Sequence, residues 1–360
     1  MTPKEELIQK LIDSPEDFTD KELNALINDK TFTAKDLRKI LLRLFDQNDE
    51  VITNDSTAHL NRLGKLNRKS MAKREKLFWK KIKRGNLTKR ILVEGDSWFE
   101  YPKFITEIVD HLNKRKDYAI FSMAYGGDWI TNILFEHTYI EKLSLIKPEV
   151  FLISGGGNDI VGGSRLAQLV KKRTDLADVS NLDLSTKEGK IAFSNLAFNS
   201  EFFALLKVFK IQYILLFESI KKNTDKFNDL KIITQGYDYA IPSSSKGFGW
   251  NPFKLMRPIS NWIIGNGKWL KTPLLLREYR NKKERIAVIY GMIEFFNEMI
   301  IEAGKNYDNV YHIDSRGAVH PKKGWYNELH PKSNQFKKIA KVYEACIDAK
   351  NNTKKVYRVQ

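Results

Sequence analysis

The sequence is poor in cysteine, with Cys346 the single one in 360 residues. That excludes an internal disulfide and any cysteine-based metal cluster, and it favours a reducing compartment. No run of about 18 uninterrupted apolar residues occurs, so no transmembrane helix is expected. The start, Met1-Thr2-Pro3-Lys4-Glu5-Glu6-Leu7, lacks a basic stretch followed by an apolar one, so no secretory signal is read there. No two of the six histidines stand at ligand spacing, so neither a metal nor another cofactor is expected. Together these absences lead to a cytoplasmic protein acting on intracellular substrates. With 42% hydrophobic and 29% charged residues the composition is globular. The length suffices for one large domain and a smaller one.

The net charge of +17 is spread unevenly. Residues 1–60 carry 13 acids against 8 Lys/Arg, whereas residues 61–90 carry 13 Lys/Arg against the single acid Glu75. The division drawn from this break is a helical N-terminal module (1–60), a basic amphipathic helix or linker (61–88), and a main domain (89–360). In the module, Glu5–Ile12 has helical apolar spacing, Thr19-Asp20-Lys21-Glu22 resembles a capping box, and Thr33 starts a third helix. It reads as a packing or partner-docking unit. Arg68–Arg84 reads as a helix with an apolar face of Met71, Phe78, Trp79 and Ile82, flanked by Lys73, Arg74, Lys76, Lys80, Lys81, Lys83 and Arg84. Such a helix suits an anionic membrane surface, nucleic acid, or packing on the body with its charges solvated.

The chain is organised around Ile91-Leu92-Val93-Glu94-Gly95-Asp96-Ser97-Trp98. Three apolar β-formers read as a buried strand, the glycine as a turn, and Phe104, Ile108 and Leu112 as the start of a helix over Phe104–Lys114. Ser97 is thus expected between strand and helix, where a nucleophile's oxyanion would find backbone N–H donors. Three further blocks fit one site. Ala124-Tyr125-Gly126-Gly127-Asp128 follows the strand-like Tyr118–Met123, and Phe151-Leu152-Ile153 runs into Ser154-Gly155-Gly156-Gly157-Asn158-Asp159. Near the C-terminus, Trp325-Tyr326-Asn327-Glu328-Leu329-His330-Pro331 leads into a helical run. In these four ordered blocks the chain resembles the SGNH (GDSL-type) hydrolases, serine esterases and lipases, from about Lys89 onward.

The alternation of strands with helical runs argues for an α/β fold with a parallel sheet covered on both faces. Five strands are expected, at Ile91–Glu94, Tyr118–Ser122, Val150–Ile153, Lys231–Thr234 and Val310–Ile313. Helices are expected at Ile130–Leu143, Arg165–Lys172, Ser200–Lys222, Lys282–Gly304 and Asn334–Lys350. The resemblance implies a flavodoxin-like three-layer sandwich of strand order 2-1-3-4-5, with the site at its carboxyl edge. Two insertions stand out. Residues 173–200 are polar and suggest no role. Residues 242–273 hold three of the seven tryptophans, Trp250, Trp262 and Trp269, and suit a lid or acyl cradle as well as a hydrophobic cluster capping the sheet.

The resemblance makes Ser97 the nucleophile and His330 its general base. It makes the Ser97 N–H, the Gly127 N–H and the Asn158 amide the oxyanion hole. Gly127 is preferred to Gly126 because Asp128 follows it, as an acidic residue tends to in the family. The family's usual aspartate, three residues before the histidine, is Asn327 here. An amide fixes the histidine tautomer but adds no charge beside the imidazolium. A backbone carbonyl, Glu328 or Asp314 is left as supporting group for His330, and Asp96 as support beside the nucleophile. His320 is expected in a surface loop, and His111, His137 and His312 in structural positions. The expected function is a serine hydrolase cleaving an acyl ester, of intracellular lipase or phospholipase type, with peripheral contact at the inner membrane. A carbohydrate O-deacetylase is the alternative enzyme. The competing class is a decayed binding protein that uses its basic helix for nucleic acid.

Overall fold

The computed structural model describes residues 1–44, 57–85, 89–101, 105–222, 227, 229–242, 269–350 and 353–359. Residues Tyr118–Ser122, Val150–Ser154 and Val310–Asp314 are buried at every position, the pattern of strands covered on both faces. With β1 (Lys89–Gly95) they form, as β2, β3 and β5, one parallel sheet that also holds β4 (Lys231–Gln235) and β6 (Val356–Arg358). The strand order is β2-β1-β3-β4-β5-β6. The five expected strands are present, and β6 is a sixth. Its three residues follow Lys354 and Lys355 and carry no apolar run, so only pairing with β5 marks it as a strand. From β1 the chain steps to β2 on one side, then back across to β3 on the other. This reversal opens a crevice at the carboxyl ends of β1 and β3.

Helices α1 (Pro3–Asp13) and α2 (Asp20–Asn28) open with reciprocal capping boxes, Thr2 with Glu5 and Thr19 with Glu22. With α3 (Ala34–Leu44) they bury Leu11, Leu26, Leu37 and Ile40 in a core continuous with that of the sheet. Polar ties hold the module down: Lys207 Nζ donates to the Phe18 carbonyl at 2.6 Å, and Lys210 pairs with Asp20 at 2.7 Å.

Helix α4 (Thr57–Arg84) begins well before the expected Arg68, and its inner face differs from the expected one. Phe78 is buried as anticipated, but Trp79 is 40% exposed, and Asn67, Arg74 and Lys81 are buried. Acceptors on the body select this face. Lys81 Nζ donates to the carbonyls of Asn113, Arg115 and Tyr118 at 2.8, 2.8 and 2.7 Å. Arg74 donates to the Phe99 carbonyl at 2.7 Å and pairs with Glu100 at 2.7 Å, with Asp110 at 3.0 Å, and with Glu107.

Of the expected helix at Phe104–Lys114, only α5 (Ile108–Leu112) forms, because the Glu107 carboxylate caps it by accepting from the Val109 and Asp110 N–H groups. Phe104 itself lies outside the described residues. The expected helix at Ile130–Leu143 is two, α6 (Ile130–Glu136) and α7 (Thr138–Ile146), broken where His137 turns left-handed at φ +54°. After α8 (Gly157–Val161) the expected helix at Arg165–Lys172 reduces to a 3-10 stretch at Gly162–Ala167, kinked at Gly163 and Ser164. Residues 173–200 contain α9 (Lys187–Ala197), followed by α10 (Ser200–Lys221). After α11 (Lys271–Leu276), α12 (Lys282–Gly304) packs closely on α9. A Cβ on Gly291 would meet Ser194 at 2.2 Å, and the Ser194 hydroxyl donates to the Ala287 carbonyl at 2.7 Å. Helix α13 (Ser333–Asp348) packs with α5, while α6, α10 and α12 pack together, giving three layers. Most of the aromatic insertion, including Trp250 and Trp262, lies outside the described residues.

Removing Arg74 leaves Glu100 and Glu107 buried without their cation. Arg74→Met is expected to cost on the order of 3–5 kcal/mol. The exposed neighbour change Lys73→Met should stay within about 0.5 kcal/mol. Urea unfolding of the two variants checks this, and equal midpoints would remove the structural role assigned to Arg74.

Candidate active site

The nucleophile turn needs a glycine ahead of it. Gly95 has φ +152°, and a Cβ there would lie 2.4 Å from the Ser154 carbonyl oxygen on β3. Beyond it Asp96, Ser97 and Trp98 form a tight turn rather than the start of a helix: the N–H groups of Phe99 and Glu100 both donate to the Asp96 carbonyl at 3.0 Å. The donors expected from a helix terminus after Ser97 are therefore replaced by turn amides. The Asp96 carboxylate is buried and accepts from the Trp98 N–H at 3.0 Å and from the Tyr237 hydroxyl. Tyr237 OH in turn accepts from the Gly157 N–H at 3.0 Å. One phenol thus ties the turns after β1 and β3 together. Burial pushes the Asp96 carboxyl up to about 7, with the Tyr237 hydrogen bond opposing.

His330 stands in a loop closed by Tyr326, whose N–H donates to the His330 carbonyl at 2.8 Å. Its Nε2 lies 2.7 Å from Ser97 Oγ, and its Nδ1 lies 3.0 Å from Asn327 Oδ1. Asn327 Oδ1 also accepts from the backbone N–H groups of Leu329 at 2.9 Å and His330 at 2.8 Å. Two backbone donors identify that atom as the amide oxygen, so Nδ1 carries the proton and Nε2 presents its lone pair to the serine hydroxyl. Trp98 Nε1 donates to the Leu329 carbonyl at 3.1 Å and joins this loop to the nucleophile turn. The Tyr101 ring lies 4.5 Å from the imidazole centre and the Trp269 ring 6.4 Å. In this dry setting burial pushes the imidazole down to about 3.

The two carboxylates considered as supports for His330 are engaged elsewhere. Glu328 accepts from the N–H groups of Leu270 at 3.2 Å and Lys271 at 3.0 Å, at the start of α11. Asp314 pairs with Arg316 at 2.8 Å and Arg358 at 3.0 Å. His320 is exposed, as expected.

Asn158 follows the glycine run after β3, and its Nδ2 donates to the Asp128 carbonyl at 2.8 Å. An amide nitrogen carries two hydrogens, so this bond orients the group and leaves one N–H for an oxyanion. Ser97 and Asn158 line one cavity of about 50 Å³. Gly127, at φ +94°, belongs to the turn after β2, where the Asp128 N–H donates to the Tyr125 carbonyl at 3.0 Å, and it is not among the residues lining that cavity. Asn67 of α4 donates to the Gly126 carbonyl at 3.1 Å and steadies the same turn. The next residue after Asn158, Asp159, accepts from the Ile130 N–H at 3.0 Å and the Thr131 hydroxyl at 3.1 Å, anchoring the loop to α6. Sequence reasoning missed Tyr237 and Asn67. Tyr237 follows Gly236 directly after β4, the one available signal.

The pH dependence follows from the neutral partner. A general base works unprotonated, and burial lowers His330 to about 3, so that lowering the pH protonates it only in strong acid. The acid limb of kcat/KM for ester hydrolysis is therefore expected below about pH 4. Asn327→Asp places a carboxylate where the amide oxygen accepts from Nδ1, which should raise the histidine by about 1–3 units and move that limb upward equally. Activity at pH 7 should be kept or increased. An unmoved limb in Asn327→Asp would remove His330 as the titrating base.

No family model and no curated protein matches the chain. Solved structures do. LAE5, an α/β hydrolase enzyme from the metagenome of Lake Arreo, is 11% identical over 74% of this chain and 98% of its own, with a TM-score of 0.37. An extracellular lipase from Streptomyces rimosus is 14% identical over 71% and 98%, with a TM-score of 0.36. A catalytic mutant of Axe2, an acetylxylan esterase from Geobacillus stearothermophilus, is 12% identical over 74% and 96%, with a TM-score of 0.37. At these scores the likeness says nothing about substrate. The chain has a three-layer α/β fold whose parallel sheet runs 2-1-3-4-5 extended by β6, and Ser97, Asn158 and His330 stand at its carboxyl edge, the arrangement that the SGNH resemblance led one to expect.

Proposed function

We propose that the protein is a serine hydrolase that cleaves acyl esters through an acyl-enzyme. The observation that carries this reading is the 2.7 Å contact between Ser97 Oγ and a His330 Nε2 whose tautomer Asn327 has fixed. In acylation Oγ attacks the ester carbonyl carbon while its proton passes to Nε2. The oxyanion is met by the Ser97 N–H and the spare Asn158 N–H, and the Gly127 N–H is the third donor that the family resemblance implies. Collapse breaks the acyl–oxygen bond, and the departing alcohol takes the proton from Nε2. Water then attacks the acyl-serine, giving its proton to Nε2, and the acid leaves as Ser97 regains its hydrogen. Asn327 orients the imidazole throughout but lends it no charge, which favours a slow enzyme or one acting on activated esters.

Ser97→Ala and His330→Ala are each expected to abolish hydrolysis of a p-nitrophenyl ester, with losses that do not add, because the two residues act as a unit. A fluorophosphonate should label the wild type and not Ser97→Ala. Near wild-type turnover in either variant would overturn the assignment. Failure of the probe to react, with no turnover, would leave the non-enzymatic binding protein as the better reading.

Where the enzyme works is a separate proposal. Lys76, Lys80, Lys83 and Arg84 of α4 surround one surface hollow with Trp79, while Arg74 and Lys81 turn inward. We propose that this outward face meets an anionic lipid surface, where each basic residue contributes about 1 kcal/mol. Among the described residues no helix is long and apolar enough to cross a membrane. Reversing Lys76, Lys80 and Lys83 to Glu should release the protein from anionic vesicles in flotation, with turnover of a soluble ester unchanged. A wild type that ignores such vesicles and binds DNA or RNA would assign the face to nucleic acid.

A further inference from the structure

The cavity that Ser97 and Asn158 line has a chemical grain. Asp96, Ser97, Asn158, Tyr237 and Asp238 are its polar lining, and its apolar wall includes Ile160 and Val161 from α8, Met292, Ile293 and Phe296 from α12, and Leu329 beside His330. A mostly apolar lining that also carries Ser97 and an amide donor suits a group that joins a carbonyl to hydrocarbon. Its size sets the length of that hydrocarbon. A water needs about 10–15 Å³ of such space, so about 50 Å³ admits roughly three to five heavy atoms. That is an acetyl to butyryl group; a fatty acyl chain of membrane lipid is several times longer.

The wall is also braced against expansion. Phe296 stacks on Tyr237 at 5.4 Å and meets Phe209 edge-on at 5.9 Å, and a Cβ on Gly156 would lie 2.8 Å from its ring. Tyr237 is held by Asp96 and by the Gly157 N–H, and α12 is fixed from behind where Gly291 admits Ser194 of α9. Enlarging the chamber would displace side chains locked from three directions, and close-packed interiors resist that.

Resting on the hydrolase reading above, we propose that this cavity is the acyl site and that it selects esters of short acyl groups, two to four carbons long, whose alcohol portion stays outside. This replaces the membrane phospholipid expected from the sequence as the preferred substrate and favours small acyl groups on a larger alcohol, such as O-acetylated carbohydrate.

The test is kcat/KM of the wild-type protein on p-nitrophenyl acetate, butyrate, octanoate and palmitate, beside Ser97→Ala. Octanoate is expected to fall about 10- to 200-fold below butyrate, the scale on which an apolar pocket rejects excess hydrocarbon. Met292→Ala or Ile160→Ala should recover at least tenfold of octanoate turnover relative to butyrate. Wild-type preference for octanoate or palmitate, dependent on Ser97, overturns the short-acyl site and leaves the hydrolase standing. Absence of Ser97-dependent turnover on all four esters overturns both. Should the two cavity variants fail to fold, the wild-type series alone decides.

Discussion

The carboxyl edge of the sheet depends on one oxygen, Asn327 Oδ1, which accepts from two backbone N–H groups and from the imidazole of His330. A carboxylate in its place would hold the same geometry and would stabilise the imidazolium as it forms. It would also bury a further charge beside the rings of Tyr101 and Trp269, where desolvation is costly. The neutral amide avoids that cost, and burial lowers the histidine so that it rests uncharged. The base is weaker for it. If the proposed hydrolysis is what the site does, it is well ordered before substrate arrives and poorly compensated in the transition state.

Around that oxygen the loops are locked to one another. Trp98 reaches the Leu329 carbonyl, Tyr237 bridges Asp96 and Gly157, and Asn158 holds the Asp128 carbonyl, so the turns after β1, β2, β3 and β4 and the histidine loop are mutually fixed. Glu94, Asp96 and Asp159 are buried within this assembly, and burial pushes them up to about 8, 7 and 6. Each accepts a backbone N–H: Glu94 from Gly95 at the end of β1, Asp96 from Trp98 in the turn beyond it, and Asp159 from Ile130 at the start of α6. Their role is to fix donors and turns so that little reorganises during reaction.

The candidate site residues were legible because each stands just after a strand or a glycine turn. Buried parallel strands write themselves as apolar runs, which is why β1 to β5 could be read and the three-residue β6 could not. Ser97, Asn158, Asn327 and His330 were found through blocks in a fixed order, and the odd asparagine was visible as such. Tyr237 was not, since a single tyrosine after a strand has no spacing to betray that its hydroxyl spans two turns. Charge patterning also misjudged direction: a basic helix does not reveal which of its bases will find carbonyls or carboxylates behind it. Glu328 adjoins His330 closely in sequence yet serves Leu270 and Lys271, because neighbours along a turning loop point to opposite sides.

Helix α4 shows what its basic composition is for on the inner side. β2 is one end of the sheet, and an open edge exposes backbone groups that invite pairing with another chain. α4 packs against β2, with Lys81 taking the Tyr118 carbonyl and two carbonyls just before it. Arg74 meets the Phe99 carbonyl two residues beyond the nucleophile, and Asn67 meets the Gly126 carbonyl in the turn after β2. Fourteen residues of helix, about 21 Å at 1.5 Å each, separate Asn67 from Lys81. One rigid element therefore spans β2 from its start to the glycine turn beyond its end. The composition break that precedes β1 is thus bridged by hydrogen bonds, and the basic helix is tied both to the sheet's edge and to two turns of the candidate site.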